Sequence, residues 1–178
     1  HFYIDTYEVT QEDFKSIMKY NPSKHKGSSL PVEFVDWFQA NEYCQKINKR
    51  LPTEAEWEKS IRGGTDSKFY WGNTMDGKFS WFKLNSKGKT HPVGIKLPNM
   101  YGVHDMSGNV WEWVSDWYAS DYFQNSLYKN PKGPEAGEFK VQRGSSWSNL
   151  ADYHSSSYRM VYGPTGKDEF NGFRCAKS

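Results

Sequence analysis

The sequence predicts an α+β fold in which helices gather in the first third of the chain and short strands sit among long loops behind them. Three observations carry this. Capping residues precede apolar faces at helical spacing up to Gly64. Polar–apolar alternation marks short strands, most clearly in Trp111-Glu-Trp-Val-Ser-Asp-Trp117. Between them lie turn signals: Gly72-Asn73, Asp76-Gly77, Lys87-Gly88 and Pro98-Asn99.

Phe2 to Thr10 alternates and reads as a strand. Thr10 then caps a helix whose apolar face is Phe14, Ile17 and Met18, with Asp13 three positions on. Residues 21–31 form a polar loop, and Pro31 to Asp36 is a short apolar run. Asp36 caps a second helix through Trp37, Ala40, Tyr43, Cys44 and Ile47. Thr53 caps a third, with Glu54 and Glu56 near its positive dipole end, and Gly63-Gly64 stops it. Glu138 to Arg143, Tyr158 to Tyr162 and Asn171 to Cys175 read as later strands. No repeat or domain boundary appears, so residues 1–178 are read as one domain.

Net charge is +2, which gives no general electrostatic case for nucleic acid or an anionic membrane. No apolar run is long enough to span a bilayer. Aromatic residues make up 17% of a chain whose mean hydropathy is −0.90, the profile of a loop-rich fold with rings in both core and surface. Cys44 and Cys175 are the only cysteines, too few for a zinc site; they are either buried thiols or one long-range disulfide.

The tryptophan segment is the anchor of the chain, because rings of that size belong in a core. Just before it, Asp105-Met-Ser-Gly-Asn-Val-Trp-Glu112 offers two carboxylates and carbonyls exposed by a glycine turn. Calcium takes such hard oxygen ligands. A capped turn entering a strand accounts for the same residues.

Four stretches, in order along nearly the whole chain, resemble the formylglycine-generating-enzyme-type (sulfatase-modifying factor) domain. They are Tyr7-Glu-Val-Thr10, Arg50-Leu-Pro-Thr-Glu-Ala-Glu-Trp-Glu58, Gly108-Asn-Val-Trp-Glu-Trp113 with Asp116-Trp117, and Arg143-Gly-Ser-Ser-Trp147 followed by Gly172-Phe-Arg174. The resemblance implies a C-type-lectin-like fold with a twisted antiparallel sheet and two to three helices. It implies a structural calcium held by the side chains of Asp105 and Glu112 and the carbonyls of Gly108 and Val110. It also implies a disulfide between Cys44 and Cys175, and with it an exported or cell-surface location.

The enzyme of this family binds copper(I) through a cysteine pair that would fall at Asn149 and His154 here. Neither supplies a thiolate, so the expectation is no copper and no catalytic residue. The reading is a non-catalytic ligand-binding domain; the alternative is an oxidase or accessory factor with an altered site. The C-terminal segment has the Tyr, Ser, Gly and Asn composition of adaptable binding loops. Trp147, Asn149, Tyr153, His154, Ser156, Tyr158, Tyr162 and Phe170 are its candidate contacts with protein or another exposed ligand. The same region is where retroelement-diversified variable proteins of the Treponema variable protein type place their variable residues.

Overall fold

The computed structural model describes residues 1–178. Each of the three early helices starts where its cap predicts. In α1 (Gln11–Met18) the Thr10 hydroxyl accepts from the Asp13 N–H at 3.1 Å. Reciprocal capping boxes open α2 (Trp37–Lys46), between Asp36 and Gln39, and α3 (Glu54–Arg62), between Thr53 and Glu56. Gly63 ends α3 in the left-handed conformation, φ 55°. Two further turns were not foreseen: α4 (Tyr122–Asn125) and a 3-10 turn over Ala151–His154. Neither has a side-chain cap bond, so neither left a start signal to read.

Strands are shorter than the alternation predicts. β1 covers only Tyr3–Ile4 and pairs antiparallel with β6 (Ala176–Lys177). The rest of the predicted first strand follows the C-terminal residues out of register. Asp5 N–H bonds to Cys175 O and Val9 N–H to Phe173 O, four residues on one side against two on the other. A regular ladder cannot absorb that mismatch. The main sheet runs in the order β4 (Met160–Tyr162), β3 (Lys140–Arg143), β2 (Trp111–Trp117), β5 (Asn171–Gly172). Its first three strands are antiparallel, as expected. The β2–β5 pair is parallel, because the loop over 163–170 returns the chain alongside β2 in the same sense.

β2 departs from the one-buried-face expectation. Glu112 and Asp116 are as buried as Trp113 and Val114. Successive side chains point to opposite sides, so β2 separates two cores. Trp113 belongs to the cluster with Phe14, Tyr43 and Phe173, and Val114 to that with Trp57, Ile61 and Val141. The indole N–H groups find carbonyls: Trp113 donates to Val35 O at 3.0 Å and Trp37 to Val114 O at 2.8 Å. Lys140 of β3 is sandwiched between Trp37 and Trp117, its Nζ 3.9 and 3.8 Å from the two ring centres. Gly172 is required at the β5 edge. An added Cβ would stand 2.6 Å from Val32 O.

Cys44 of α2 and Cys175 are joined as a disulfide, with Cα atoms 5.7 Å apart and a sequence separation of 131. No free cysteine remains. A link closing so long a loop is expected to contribute about 4 to 5 kcal/mol in the chain-entropy treatment. The Cys44→Ala/Cys175→Ala variant should lose several kcal/mol in denaturant titration. Added reductant should shift the wild-type curve toward the variant and leave the variant unmoved.

Candidate functional site

Two regions hold the residues singled out above: the loop that feeds β2, and the segment from Trp147 to Phe170. The loop is bent by three left-handed residues, Asp105 (φ 55°), Gly108 (φ 89°) and Asn109 (φ 62°). Gly108 has no alternative there, since a Cβ would lie 2.2 Å from Trp81 O. Asn109 ties the loop to its surroundings. Its Oδ1 accepts from His91 N–H at 3.0 Å, and its Nδ2 donates to Glu8 Oε2 at 2.6 Å.

Glu112 and Arg174 are fully buried and form a bidentate pair. Arg174 Nη2 reaches Oε1 at 2.7 Å, while Nε reaches Oε2 at 2.8 Å. Trp57 Nε1 adds a bond to Oε2 at 2.7 Å. Glu8, which the sequence reading did not assign, is also buried here. Its acidic charge inside an apolar strand motif was the available signal. Burial holds its carboxyl well above the ordinary range, and the charges of Asp105 and Glu112 add to that; burial raises Asp105 too. Three buried carboxylates therefore face one guanidinium.

The oxygens expected from the sequence to hold calcium differ in how far they are already engaged, Glu112 being paired with Arg174 through both of its own. Asp105 Oδ2 takes Gly94 N–H at 2.6 Å and leaves Oδ1 without a donor. Neither the Gly108 nor the Val110 carbonyl accepts a hydrogen bond. Glu112 Oε1 takes a single donor and keeps a lone pair. No group of three or more His, Cys, Asp or Glu side chains converges anywhere as an all-side-chain metal centre would.

In the C-terminal segment the candidate contacts separate by burial. Tyr153 is 37% exposed, and its ring lies 5.1 Å from that of half-buried Tyr158. Trp147 and Phe170 form a second half-buried pair at 5.0 Å. Tyr162 leans on Trp113 at 6.0 Å and packs against the core. His154 and Ser156 are buried, and their reading as surface contacts is corrected. The 3-10 turn rotates His154 inward, where Nδ1 meets Ser80 Oγ at 3.2 Å and Ser107 Oγ at 3.3 Å. Asn149 is half-buried and occupied locally, accepting on Oδ1 from Ser146 Oγ at 2.6 Å and Ser146 N–H at 3.2 Å. Arg159, missed from sequence, grips buried Glu54 at 2.7 and 2.9 Å and stacks on Tyr118 and Phe123.

The curled sheet with early helices and long anchored loops is the C-type-lectin-like class. The sulfatase-modifying factor enzyme 1-like domain family matches residues 1–178, and the chain belongs to that family. A formylglycine-generating enzyme of Mus musculus is 37% identical over 166 residues, covering 84% of this chain and 44% of that protein. A serine/threonine-protein kinase pkn1 of Chlamydia caviae is 39% identical over 150 residues, covering 83% of this chain and 24% of that protein. The chain thus spans under half the length of these curated relatives. Among solved structures, Treponema denticola variable protein 1 superposes with a TM-score of 0.91 at 32% identity, covering 99% of this chain and 84% of that one. PvdO from Pseudomonas aeruginosa gives 0.88 at 25% identity, covering 99% and 80%.

Burial drives the His154 imidazole down to about 4 and the Asp116 carboxyl up to about 6. Between pH 6.5 and 4 the unfolded chain carries a proton on His154 that the folded chain refuses, so this residue costs stability as pH falls. Between pH 4 and 6 folded Asp116 holds a proton that the unfolded chain releases, so this residue costs stability as pH rises. Relative to wild type, His154→Gln should gain stability on acidification over that range, and Asp116→Asn should gain it as pH rises from 4 to 6. Urea titrations at several pH values measure both slopes.

Proposed function

We propose that this domain is a non-catalytic ligand-binding module whose C-terminal segment recognises protein or another exposed ligand. The observation that carries the reading is the state of the two positions matching the enzyme's cysteine pair. Asn149 is spent on Ser146, and His154 is buried against two serine hydroxyls. The chain's only thiols are consumed in a disulfide elsewhere. Soft thiolate ligation of copper therefore has no basis at this place. The half-exposed ring pairs Tyr153–Tyr158 and Trp147–Phe170 supply rigid contact area with little ordering cost. The likeness to a variable protein supports a receptor-like role and a retroelement-diversified gene. The disulfide supports an exported or cell-surface setting.

Incubation with copper, oxygen and a cysteine-containing peptide should yield no aldehyde; aldehyde formation would overturn the non-catalytic reading. Tyr153→Ala should weaken ligand capture while changing folding stability by no more than about 0.5 kcal/mol, the usual effect at an exposed site.

Calcium enters the same proposal as a structural ion. Asp105, Glu112 and the carbonyls of Gly108 and Val110 would hold it, supplying the positive charge that the buried carboxylates lack. Because such an ion binds only the folded state, EGTA should lower the melting temperature of the wild type. It should lower that of Asp105→Asn much less, since that variant keeps the Gly94 acceptor and loses the charge. Equal shifts, or none, would remove calcium from the account.

A further inference from the structure

The whole-chain charge conceals a local asymmetry. From Gly77 to His104 there is no Asp, Glu or Arg, and five lysines: Lys78, Lys83, Lys87, Lys89 and Lys96. Of the 23 Lys and Arg in the chain, these five leave 18 to face 21 Asp and Glu, so the remainder is acidic. None of the five takes part in a salt bridge, and no carboxylate lies among them in the sequence. Lys96 is held in place, its Nζ on the Gly77 carbonyl and 3.6 Å from the Trp81 ring centre. The other four are exposed.

Apolar side chains stand out among them. Leu84 is 78% exposed, Ile95 62% and Leu97 50%. The fold brings them together around Gly77. Its carbonyl accepts from Asn85 Nδ2 at 3.4 Å and from Lys96 Nζ, and Leu97 N–H donates to Lys78 O at 3.0 Å. Three stretches, 77–78, 84–85 and 95–97, thus meet at one place, and they carry exposed Lys78, Leu84, Ile95 and Leu97, with exposed Lys83 next to Leu84 in sequence.

We infer that this face docks on an anionic phospholipid surface, lysines on the headgroups and the tips of Leu84, Ile95 and Leu97 at the acyl boundary. Charge complementarity selects the partner: unpaired cations beside exposed apolar tips match a negatively charged bilayer interface. A purely polar polyanion would use the lysines and gain nothing from separate aliphatic tips. The contact is peripheral, and no helix here is long and apolar enough to cross a membrane.

The test is cosedimentation of the whole chain with phosphatidylcholine vesicles, with and without phosphatidylglycerol. Wild type should pellet only with the anionic vesicles, less so as salt is raised. Lys83→Glu/Lys87→Glu/Lys89→Glu should lose binding by roughly a hundredfold or more, as removing three surface attractions implies. Leu84→Ser/Leu97→Ser, with every lysine kept, should also weaken it several-fold. Unchanged melting temperatures would show that both variants fold. No pelleting, or equal pelleting with neutral vesicles, overturns the inference. So does a leucine variant that binds like wild type, because the face would then be a general polyanion or acidic-protein contact.

Discussion

The buried pair between Glu112 and Arg174 is the constraint on which the rest of the structure depends. Glu112 lies at the centre of the main sheet, and Arg174 follows the strand beside it. Arg174 also donates to the carbonyls of Asp5, Thr6 and His104. One guanidinium therefore joins the first residues, the central strand, the loop that feeds it and the last residues. Taking one partner away would strand the other charge in the interior, at a cost of about 3 to 5 kcal/mol. The ladder bonds alone could not hold so many short strands, several of them two residues long. Charge-assisted bonds and side-chain clamps do the work that long strands do elsewhere.

A second polar assembly lies on the same face of the sheet as Glu112, since Arg143 of β3 is the cross-strand partner of that residue. Arg143 reaches Glu54 at 3.1 Å and Glu58 at 2.7 Å, and Arg159 closes on Glu54 as well. On the opposite face of β3, Lys140 is held between two indoles, so each face of this strand carries a buried cation matched by carboxylates or rings. A mean hydropathy as low as −0.90 is compatible with a well-filled interior because much of that interior is paired charge.

How much of this was legible follows from the range of the interactions. The three early helices were readable, caps included, because Thr10, Asp36 and Thr53 act within three residues of themselves. The disulfide and the family came from ordered motifs rather than from periodicity. Strand ends were misjudged because pairing partners such as Val9 and Phe173 lie at opposite ends of the chain. Alternation of polarity in Trp111–Trp117 was real but did not report burial, since Glu112 and Asp116 found partners inside. Of the loop contacts, Tyr153 is exposed as expected. His154 is not, and nothing local distinguishes a turn that points its imidazole inward from one that points it out.

The segment that carries the ring pairs starts from β3 and ends at β5, and those two strands flank β2 on either side. Its ends are thereby fixed by the best-buried part of the molecule, while its middle mixes exposed side chains with buried ones. Substitutions at Tyr153 or Leu150 meet few neighbours and draw little on the stability margin. Substitutions at His154 or Ser156 must be accommodated inside. A single short stretch thus combines freely changeable positions with fixed ones, and the number of distinct surfaces it can present is set by the exposed members alone.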